Sequence, residues 1–324
     1  MINTNKIIIL TIIFLFFLFI LYKYFFVKEK KVIENNKITK NKDNVIFFSK
    51  KSKIKKSKDE KNIYNILKIY LDNVSEFEIL AKTGQNIKKD NLATFYMDNI
   101  LNFTSKEKKI LRYYVEYISK LCKKYNKISQ NWNFIKISYI IDNSMPFTLD
   151  KYIFLSDKFL ESMLIAKTLK IKFLDTLIHE KIHIIQRFNQ NLFNKFYINN
   201  LNIIYSDKLQ ITDYWKKRHY KNPDGLDVKW IYKNNNNYYL PLLVMNDNNK
   251  NLLEEIIIKL DTNLKTTKNY TNIKEFILFK NIPNNIMVYH PNESVAYILP
   301  KIILNSYLPK KIKKQYKKLL NYLV

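Results

Sequence analysis

The chain has 324 residues and a formal net charge of +28 at pH 7, because 56 Lys and Arg outnumber 28 Asp and Glu. Its hydrophobic content of 47% is enough for a real core, in one large domain or two small ones. With only two glycines the chain has no Gly-rich loop, which excludes the P-loop and Rossmann classes of nucleotide-binding protein. The single cysteine, Cys122, excludes an internal disulfide and is expected in the core.

The first predicted element is a membrane anchor that occupies residues 1–27. Residues 7–22 are almost wholly apolar, and if Lys23 snorkels the run reaches about 21 residues, which is long enough to span a bilayer. A cleaved signal peptide is the alternative, but it needs small residues after the apolar run, and residues 22–27 contain none. Lysines crowd the C-terminal flank, so the positive-inside rule favours a single-pass membrane protein with its soluble domain in the cytoplasm.

Residues 28–61 are rich in lysine and have few large apolar side chains beyond Val45, Ile46, Phe47 and Phe48. This composition predicts a disordered tether. The tether is either a plain spacer or a polybasic segment that binds anionic lipid. The folded domain is predicted to occupy residues 62–324.

Helices and strands alternate in the first half of this domain. Apolar residues recur at helical spacing from Asn62 onward, and Thr104 with Glu107 forms a capping box that opens a helix to about Asn126. Apolar and polar residues alternate over residues 132–141, which are also rich in β-branched side chains, and this pattern predicts a strand. Residues 152–156 predict another strand. From about residue 161 to residue 189 the pattern is helical again.

That helical stretch contains His179-Glu180-x-x-His183. On a helix the two imidazoles lie about one turn apart on the same face, so both can bind one metal ion. Glu180 is then placed to take a proton from a water that the metal activates. The alternative is that both histidines are ordinary core or surface residues. Lys181 is expected to point outward between the two ligands.

The remainder of the chain is predicted to be mainly helical. Asn222 to Gly225 is a turn, and residues 228–232 and 238–245 read as strands. Helices are predicted at residues 252–260, 292–305 and 309–323, the second of them capped by Asn292 and kinked or split at Pro300.

A catalytic zinc site needs a third protein ligand besides the two histidines. The nearby form His-x-x-Gly-x-x-His is absent, because positions 186 and 189 are Gln and Asn. The ligand must therefore come from a distant part of the chain. Glu293 lies in the first turn of an apolar helix, where a carboxylate that faces the core needs a neutralising partner such as a metal. The alternative is a Glu that points to water and interacts with the helix dipole.

His179-Glu180-x-x-His183, followed more than a hundred residues later by Asn292-Glu293-x-x-Ala296, resembles the gluzincin metallopeptidases. The resemblance implies one Zn²⁺ per chain held by His179, His183 and Glu293, with Glu180 as general base and a peptide or protein as substrate. It also implies a zincin-like α+β fold. In that fold a small mixed sheet lays its edge strand, expected at residues 152–155, on the active-site helix.

Two features of the expected mechanism need further residues. An oxyanion stabiliser is expected, and His290 is the first candidate because it is close to Glu293 in sequence, ahead of Tyr289, Tyr297 and His219. The alternative for His290 is a surface residue before a proline. The family commonly has an acidic residue that orients a zinc-binding His, but this chain has Tyr297 there, which leaves the orienting partner unassigned.

Three other functions fit parts of the sequence. A catalytically inactive, membrane-tethered binding protein would keep the fold without metal or turnover. A basic nucleic-acid-binding protein would show steep salt-dependent affinity, but the aromatic residues here fall at core-like spacing, so nucleic acid is not the expected partner. A metal-dependent hydrolase with a non-peptide substrate would share the same metal chemistry.

Overall fold

The computed structural model describes residues 44–50, 58–166, 168–225, 228–246, 252–276, 279–280 and 282–324. The chain divides into two compact units, Met1–Asp43 and Asn44–Val324, and the described residues all belong to the second. The predicted anchor at residues 1–27 lies outside them. Within these described ranges, no helix has the length and apolar character needed to cross a membrane. The second unit is a mixed α+β structure with two small sheets.

The first sheet has five short strands, and β3 lies at its centre. The strands are β1 Val45–Phe47, β2 Ile100–Leu101, β3 Trp132–Ile137, β4 Phe147–Leu149 and β5 Tyr152–Ser156. Strand β3 runs parallel to β1 and β5, pairs with β2 in the antiparallel sense at its C-terminal end, and is buried at every residue. Trp132 and Phe134 face one core cluster while Ile135 and Ile137 face another, so both faces of the sheet are covered.

The folded part of the chain begins earlier than predicted. Residues 45–47 form β1, which pairs with residues 132–134 of β3, and the Asn44 carbonyl accepts a hydrogen bond of 2.9 Å from the Trp132 amide. This part of the predicted disordered tether is therefore ordered, and the domain boundary at residue 62 is wrong. The short apolar run that begins at Val45 is a sheet strand, because β3 offers it a partner that local sequence cannot reveal.

The edge of this sheet next to the site is β4, and the expected edge strand at residues 152–155 is instead β5, an interior strand between β3 and β4. The chain reaches β4 through three successive residues with positive φ, Asp142 (47°), Asn143 (55°) and Ser144 (64°). A fourth residue with positive φ, Asp150, closes the short turn from β4 to β5. Both strands are fully buried, so burial pattern alone does not tell which one is outermost.

Among the described residues, five α-helices lie between residues 58 and 129. They are α1 Lys58–Leu71, α2 Glu76–Thr83, α3 Leu92–Asp98, α4 Ser105–Leu121 and α5 Asn126–Ser129. The predicted capping box is confirmed, since the Thr104 hydroxyl accepts from the Glu107 amide while the Glu107 carboxylate accepts from the Thr104 amide. Cys122, at the end of α4, is fully buried as predicted.

Six more helices follow. They are α6 Asp157–Ile165, α7 Ile171–Phe188, α8 Gln190–Leu201, α9 Asp213–Arg218, α10 Pro291–Ile303 and α11 Lys310–Leu320. The helical pattern predicted from residue 161 to residue 189 is thus two helices, with a break near Ala166. Helix α10 continues through Pro300 and packs along α7. This packing brings the two predicted motifs together.

The second sheet is antiparallel and lies in the C-terminal half. Its strands are β6 Ile203–Tyr205, β7 Trp230–Asn234, β8 Asn237–Met245, β9 Leu253–Leu260 and β10 Thr266–Asn272, in the spatial order β10-β9-β8-β7-β6. The strands predicted near residues 228–232 and 238–245 are confirmed. The helix predicted at residues 252–260 is wrong, and so is the mainly helical C-terminal part, because the β-branched run of residues 256–258 pairs with β8.

Candidate metal centre

Helix α7 places His179 and His183 on one face, one turn apart. Apolar residues of this helix, including Leu177, Ile178 and Ile182, pack into the core, which fixes the rotation of the helix. The His183 side chain is almost fully buried and the His179 side chain is 14% exposed. Their Nε2 atoms are 2.9 Å apart. The sequence prediction that both imidazoles converge on one point is confirmed.

The carboxylate of Glu293 meets these two rings from α10. His290 is the N-cap of this helix and Pro291 its first residue, so Glu293 falls in the first turn and faces inward. Its Oε1 lies 3.5 Å from His183 Nε2 and its Oε2 lies 3.6 Å from His179 Nε2. The ligand atoms of all three residues lie within 4.8 Å of one another, and together they could hold a metal ion.

Burial and charge act on the three groups in different directions. Burial and the neighbouring His183 lower the pKa of His179 to about 3. Burial also lowers the pKa of His183, but the carboxylates of Asp224 and Glu293 outweigh it and raise that pKa to about 9. Burial raises the pKa of Glu293, yet the two histidines hold it below its usual range. In the metal-free protein the positive charge of the cluster therefore lies on His183, where a cation could take the place of the proton.

Glu180 follows the first ligand on α7 and is 3% exposed. Its Oε2 is buried and has no hydrogen-bond partner among the described residues. Burial, with the carboxylates of Asp224 and Glu293, raises its pKa well above the usual range. A buried carboxylate oxygen without a partner is costly, so its place beside the metal ligands indicates a group that the site requires.

The partner that orients His183 is Gln186, one turn further along α7. Gln186 Oε1 lies 2.8 Å from His183 Nδ1, and its Nε2 donates to Tyr197 Oη and to the Asn292 carbonyl. Since an amide oxygen only accepts, it requires a proton on Nδ1, so Nε2 is the nitrogen on which a cation would replace a proton. Tyr197 completes the ring of contacts by donating to Asn292 Oδ1 at 2.8 Å.

The carboxylate of Glu293 is held by the turn at residues 222–225. Asn222 Nδ2 donates to Glu293 Oε1 at 2.8 Å and to Tyr289 Oη at 2.7 Å, while Asn222 Oδ1 accepts from the Asp224 amide. The turn lies directly on the start of α10, because a Cβ at Gly225 would come within 3.0 Å of His290 Cγ. The residues Asn-Pro-Asp-Gly therefore position a ligand, whereas the sequence indicated only a turn.

The same turn is bonded to the edge strand β4. The buried carboxylate of Asp224 accepts from both the hydroxyl and the amide of Thr148 and from Arg187 Nη2, which lies 3.2 Å from Asp224 Oδ1. Arg187 also donates to the carbonyls of Thr148 and Asp150. One carboxylate thus connects the edge strand, the turn and the C-terminal end of α7.

Glu78 anchors the beginning of this turn. Its Oε1 accepts from the Lys221 amide at 2.6 Å and its Oε2 lies 3.0 Å from Lys221 Nζ, while the Glu78 side chain is fully buried. Burial raises the pKa of Glu78, but Lys221 and Lys82 outweigh it and hold that pKa below its usual range. The charged form of Glu78 is therefore the form that the fold stabilises.

We expect Glu78→Gln to lower the free energy of unfolding by about 1–3 kcal/mol at pH 7, because it removes the carboxylate that accepts from the Lys221 amide and pairs with Lys221 Nζ. The folded-state pKa is depressed, so the contribution is present above the unfolded pKa and is lost as pH falls through the folded pKa. The difference from the native protein should therefore shrink below about pH 4, near the unfolded value for Glu. Urea unfolding of both proteins at pH 7 and below about pH 4 measures this difference in the free energy of unfolding. The control is Glu76→Gln, at an exposed position of the same helix. An equal difference at both pH values would contradict the linkage.

A pocket of about 230 Å³ opens beside the cluster. His179, Glu180 and Glu293 line it on one side together with Tyr289 and Tyr297. Its other walls have apolar side chains from the edge-strand region, the second sheet and the segment before α10, and they also include the charged side chains of Lys82, Asp142 and Asp224. The apolar residues are Met145, Pro146, Phe147, Leu243, Leu253 and Met287. The Tyr297 ring packs edge-on against His179, with centroids 4.5 Å apart, and burial raises the pKa of its hydroxyl, which keeps that hydroxyl protonated.

His290 does not join the site in the predicted role. It is buried, its Nδ1 accepts from the Asn292 amide at 3.1 Å as the N-cap of α10, and it does not line the pocket. The cap predicted at Asn292 therefore belongs to His290. His219, another oxyanion candidate, is also buried outside the pocket lining, and burial lowers its pKa to about 4. Of the candidates considered, Tyr289 and Tyr297 face the pocket.

Lys181 is buried, which corrects the expectation that it points outward. Its Nζ donates to the Asn131 carbonyl at 2.9 Å and lies 5.4 Å from the centroid of the Trp132 ring. Burial lowers its pKa to about 8. The side chain faces away from the two histidines because α7 buries nearly its whole circumference between the sheet and α10.

Comparisons with known proteins found no match to this chain. No protein family, no curated protein and no solved structure matches it. The chemistry assigned to the site therefore depends on its own geometry. That geometry is a group of His179, His183 and Glu293 that could hold a metal ion, next to a buried carboxylate and an open pocket.

Proposed function

We propose that the protein is a zinc-dependent metallopeptidase with a zincin-like catalytic core. The observation that carries the proposal is the unpartnered, buried carboxylate oxygen of Glu180 beside the group formed by His179, His183 and Glu293. Two imidazoles and one carboxylate are a ligand set used by catalytic zinc, which keeps a fourth position open. A structural site would instead supply four protein ligands.

The donor atoms fit the size of zinc. With metal–ligand bonds of 2.0–2.1 Å, the corners of a tetrahedron are about 3.3–3.4 Å apart. The two histidine Nε2 atoms are 2.9 Å apart, each lies 3.5 or 3.6 Å from a different oxygen of Glu293, and one ligand atom from each residue lies within 4.8 Å of the others, so the group is compact enough to close on one ion of this size. When bound, zinc would polarise a carbonyl oxygen and lower the pKa of a water molecule.

The residues of this chain supply the proton transfers. Glu180 lines the pocket and its buried Oε2 has no hydrogen-bond partner among the described residues, so this carboxylate can accept a proton from a water and return it to a leaving amine. Its raised pKa in the metal-free protein is the shift that makes a carboxylate able to exchange protons near neutral pH. The protonated hydroxyl of Tyr297 has no hydrogen-bond partner among the described residues and is the best-placed donor for a developing oxyanion.

The pocket walls favour a peptide substrate. The edge strand β4 pairs with β5 on one side, and on its other side the Thr148 amide and carbonyl are bonded to Asp224 and Arg187, so a substrate would lie in the pocket beside Phe147 of this strand. The apolar side chains around the pocket then favour an apolar substrate side chain next to the scissile bond. The predicted N-terminal anchor and Lys-rich tether would keep this activity at a membrane.

The test is metal-dependent cleavage of a peptide library by the full chain in detergent. We expect cleavage next to apolar residues, loss of activity after 1,10-phenanthroline treatment, and recovery when zinc is restored at one equivalent per chain. Magnesium should not restore it, because an imidazole-containing site suits zinc. Cleavage that survives complete removal of the metal would overturn the proposal, and so would a folded, zinc-loaded chain that cleaves no peptide.

A further inference from the structure

The last helix carries a basic face that the proposed peptidase chemistry does not use. Four residues of α11, namely Ile312, Tyr316, Leu319 and Leu320, are buried against the core. The opposite side of the helix exposes Lys310, Lys311, Lys314, Lys317 and Lys318, which are called the basic face below. None of these five lysines forms an ion pair within the part of the chain that the structure describes.

The segments packed around α11 supply no negative side chain. Residues 294–324 contain no Asp or Glu. Helix α8 contacts α11 through the Phe196 and Tyr316 rings, 5.6 Å apart, and residues 181–206 also lack acidic residues. The third neighbour is the segment around Lys127, whose amide donates to the Leu323 carbonyl. Residues 117–141 of this segment contain no acidic residue either. The segments around the basic face therefore add no negative side chain that would offset its positive charge.

Large apolar side chains are exposed around the same helix. Tyr307, shortly before α11, is 86% exposed, and Tyr322, shortly after it, is 54% exposed. Val324 is 63% exposed, and Ile198 on the neighbouring helix α8 is 49% exposed. Lysines mixed with exposed aromatic and aliphatic side chains suit the head-group region of a bilayer, where charge meets anionic lipid and apolar groups leave water.

We propose that the basic face docks the folded domain on an anionic lipid surface. Nucleic acid fits it less well for two reasons. The face contains lysine and no arginine, whereas bidentate recognition of a phosphate group favours the planar guanidinium of arginine. Exposed aliphatic residues such as Ile198 and Val324 gain little from a phosphate backbone but do gain from the interface of a bilayer. Each lysine near an anionic surface strengthens binding about fivefold. This docking is independent of the peptidase activity.

The test is lysine acetylation of the full chain in lipid vesicles, read residue by residue by mass spectrometry. We expect the five lysines of the basic face to react severalfold more slowly in phosphatidylserine-containing vesicles than in pure phosphatidylcholine vesicles. High salt should remove the difference, since it screens the attraction. Lys88 and Lys89, which are exposed near the other core cluster, should react equally in both. Equal reaction of the basic face in the two vesicle types would overturn the proposal.

A matched pair of variants separates this face from net charge. Replacing Lys311, Lys314 and Lys318 with Gln leaves the buried side of α11 intact and should abolish the protection of the remaining lysines, Lys310 and Lys317. Replacing Lys61, Lys88 and Lys89 with Gln changes the charge equally and should leave that protection unchanged. An equal loss in both variants would overturn the proposal. A second result would also overturn it. If a single-stranded oligonucleotide, added to the chain in phosphatidylcholine vesicles, protected these lysines as well as phosphatidylserine does, the face would be assigned to nucleic acid.

Discussion

Replacing Glu180 with Gln is expected to remove peptide cleavage while the zinc content stays near one per chain. Gln keeps the shape of the side chain but cannot take a proton at Oε2, so the transfer to the leaving amine fails. The expected loss in kcat/KM is about 10²–10⁴-fold, which corresponds to about 3–5 kcal/mol of transition-state stabilisation. Because the carboxylate is buried and unpartnered, the neutral amide should also stabilise the fold.

The combination of results identifies the role of Glu180. Lower activity with normal zinc and a raised free energy of unfolding is the pattern expected for a general base. Glu161→Gln, at an exposed position on α6, is the matched control and should leave all three quantities unchanged. Native-level cleavage by the Glu180 variant would exclude the residue from proton transfer and would leave Tyr297 as the pocket residue to test.

Replacing His183 with Ala is expected to abolish zinc binding, and replacing Gln186 with Ala is expected only to weaken it. His183 would supply a direct ligand atom, whereas Gln186 fixes the tautomer and orientation of the His183 ring through a contact of 2.8 Å. Loss of such an orienting partner commonly costs about 10–100-fold in metal affinity, and loss of the ligand costs more. Elemental mass spectrometry of the purified full chain gives the zinc content, and competition with a chelator gives the affinity.

The control for these two variants removes a buried histidine that touches no ligand. His219→Gln should retain one zinc per chain, although it should lower the free energy of unfolding. If the His183 variant kept full zinc occupancy, the ion would lie elsewhere. If the Gln186 variant bound zinc as tightly as the native chain, the hydrogen bond to Nδ1 would have no part in organising the site.

The sequence was a good guide to the group that could hold a metal ion, because the signals of its three residues are local. His179 and His183 occur at the spacing of one helical turn, and Glu293 is a charged residue within an apolar helix. Each of these patterns depends on the geometry of a single helix. The meeting of the two helices could be expected only through the resemblance, since no local pattern specifies that α10 packs along α7.

The orienting residues were missed because their roles depend on tertiary contacts. Gln186 was considered only as the residue that replaces a glycine, although its position one turn after His183 on the same face is a usable signal. The Asn-Pro-Asp-Gly turn has the residues of any tight turn, and nothing local shows that Asn222 will meet Glu293 some seventy residues later. His290 was overvalued because closeness in sequence does not imply a shared pocket.

The errors in the fold have one physical origin, the context dependence of strands. Residues 252–260 satisfy the spacing of an amphipathic helix, but they form strand β9 because hydrogen bonds to β8 on one side and β10 on the other stabilise the extended conformation. Residues 45–47 look like a brief apolar run in a charged segment until β3 is present to pair with them. Helices that carry caps, such as the one opened by Thr104, were predicted reliably because the capping signal is local.

The bonded path from Thr148 through Asp224 and Asn222 to Glu293 connects the edge strand to the group that could hold a metal ion. In the proposed peptidase, a peptide held beside this strand would also stiffen the carboxylate that receives the cation. By thermodynamic reciprocity, the cation would then raise the affinity for the peptide by the same factor. Such an enzyme would hold its substrate weakly until it is loaded with metal, so the zinc supply would set both the fraction of competent molecules and their affinity for substrate.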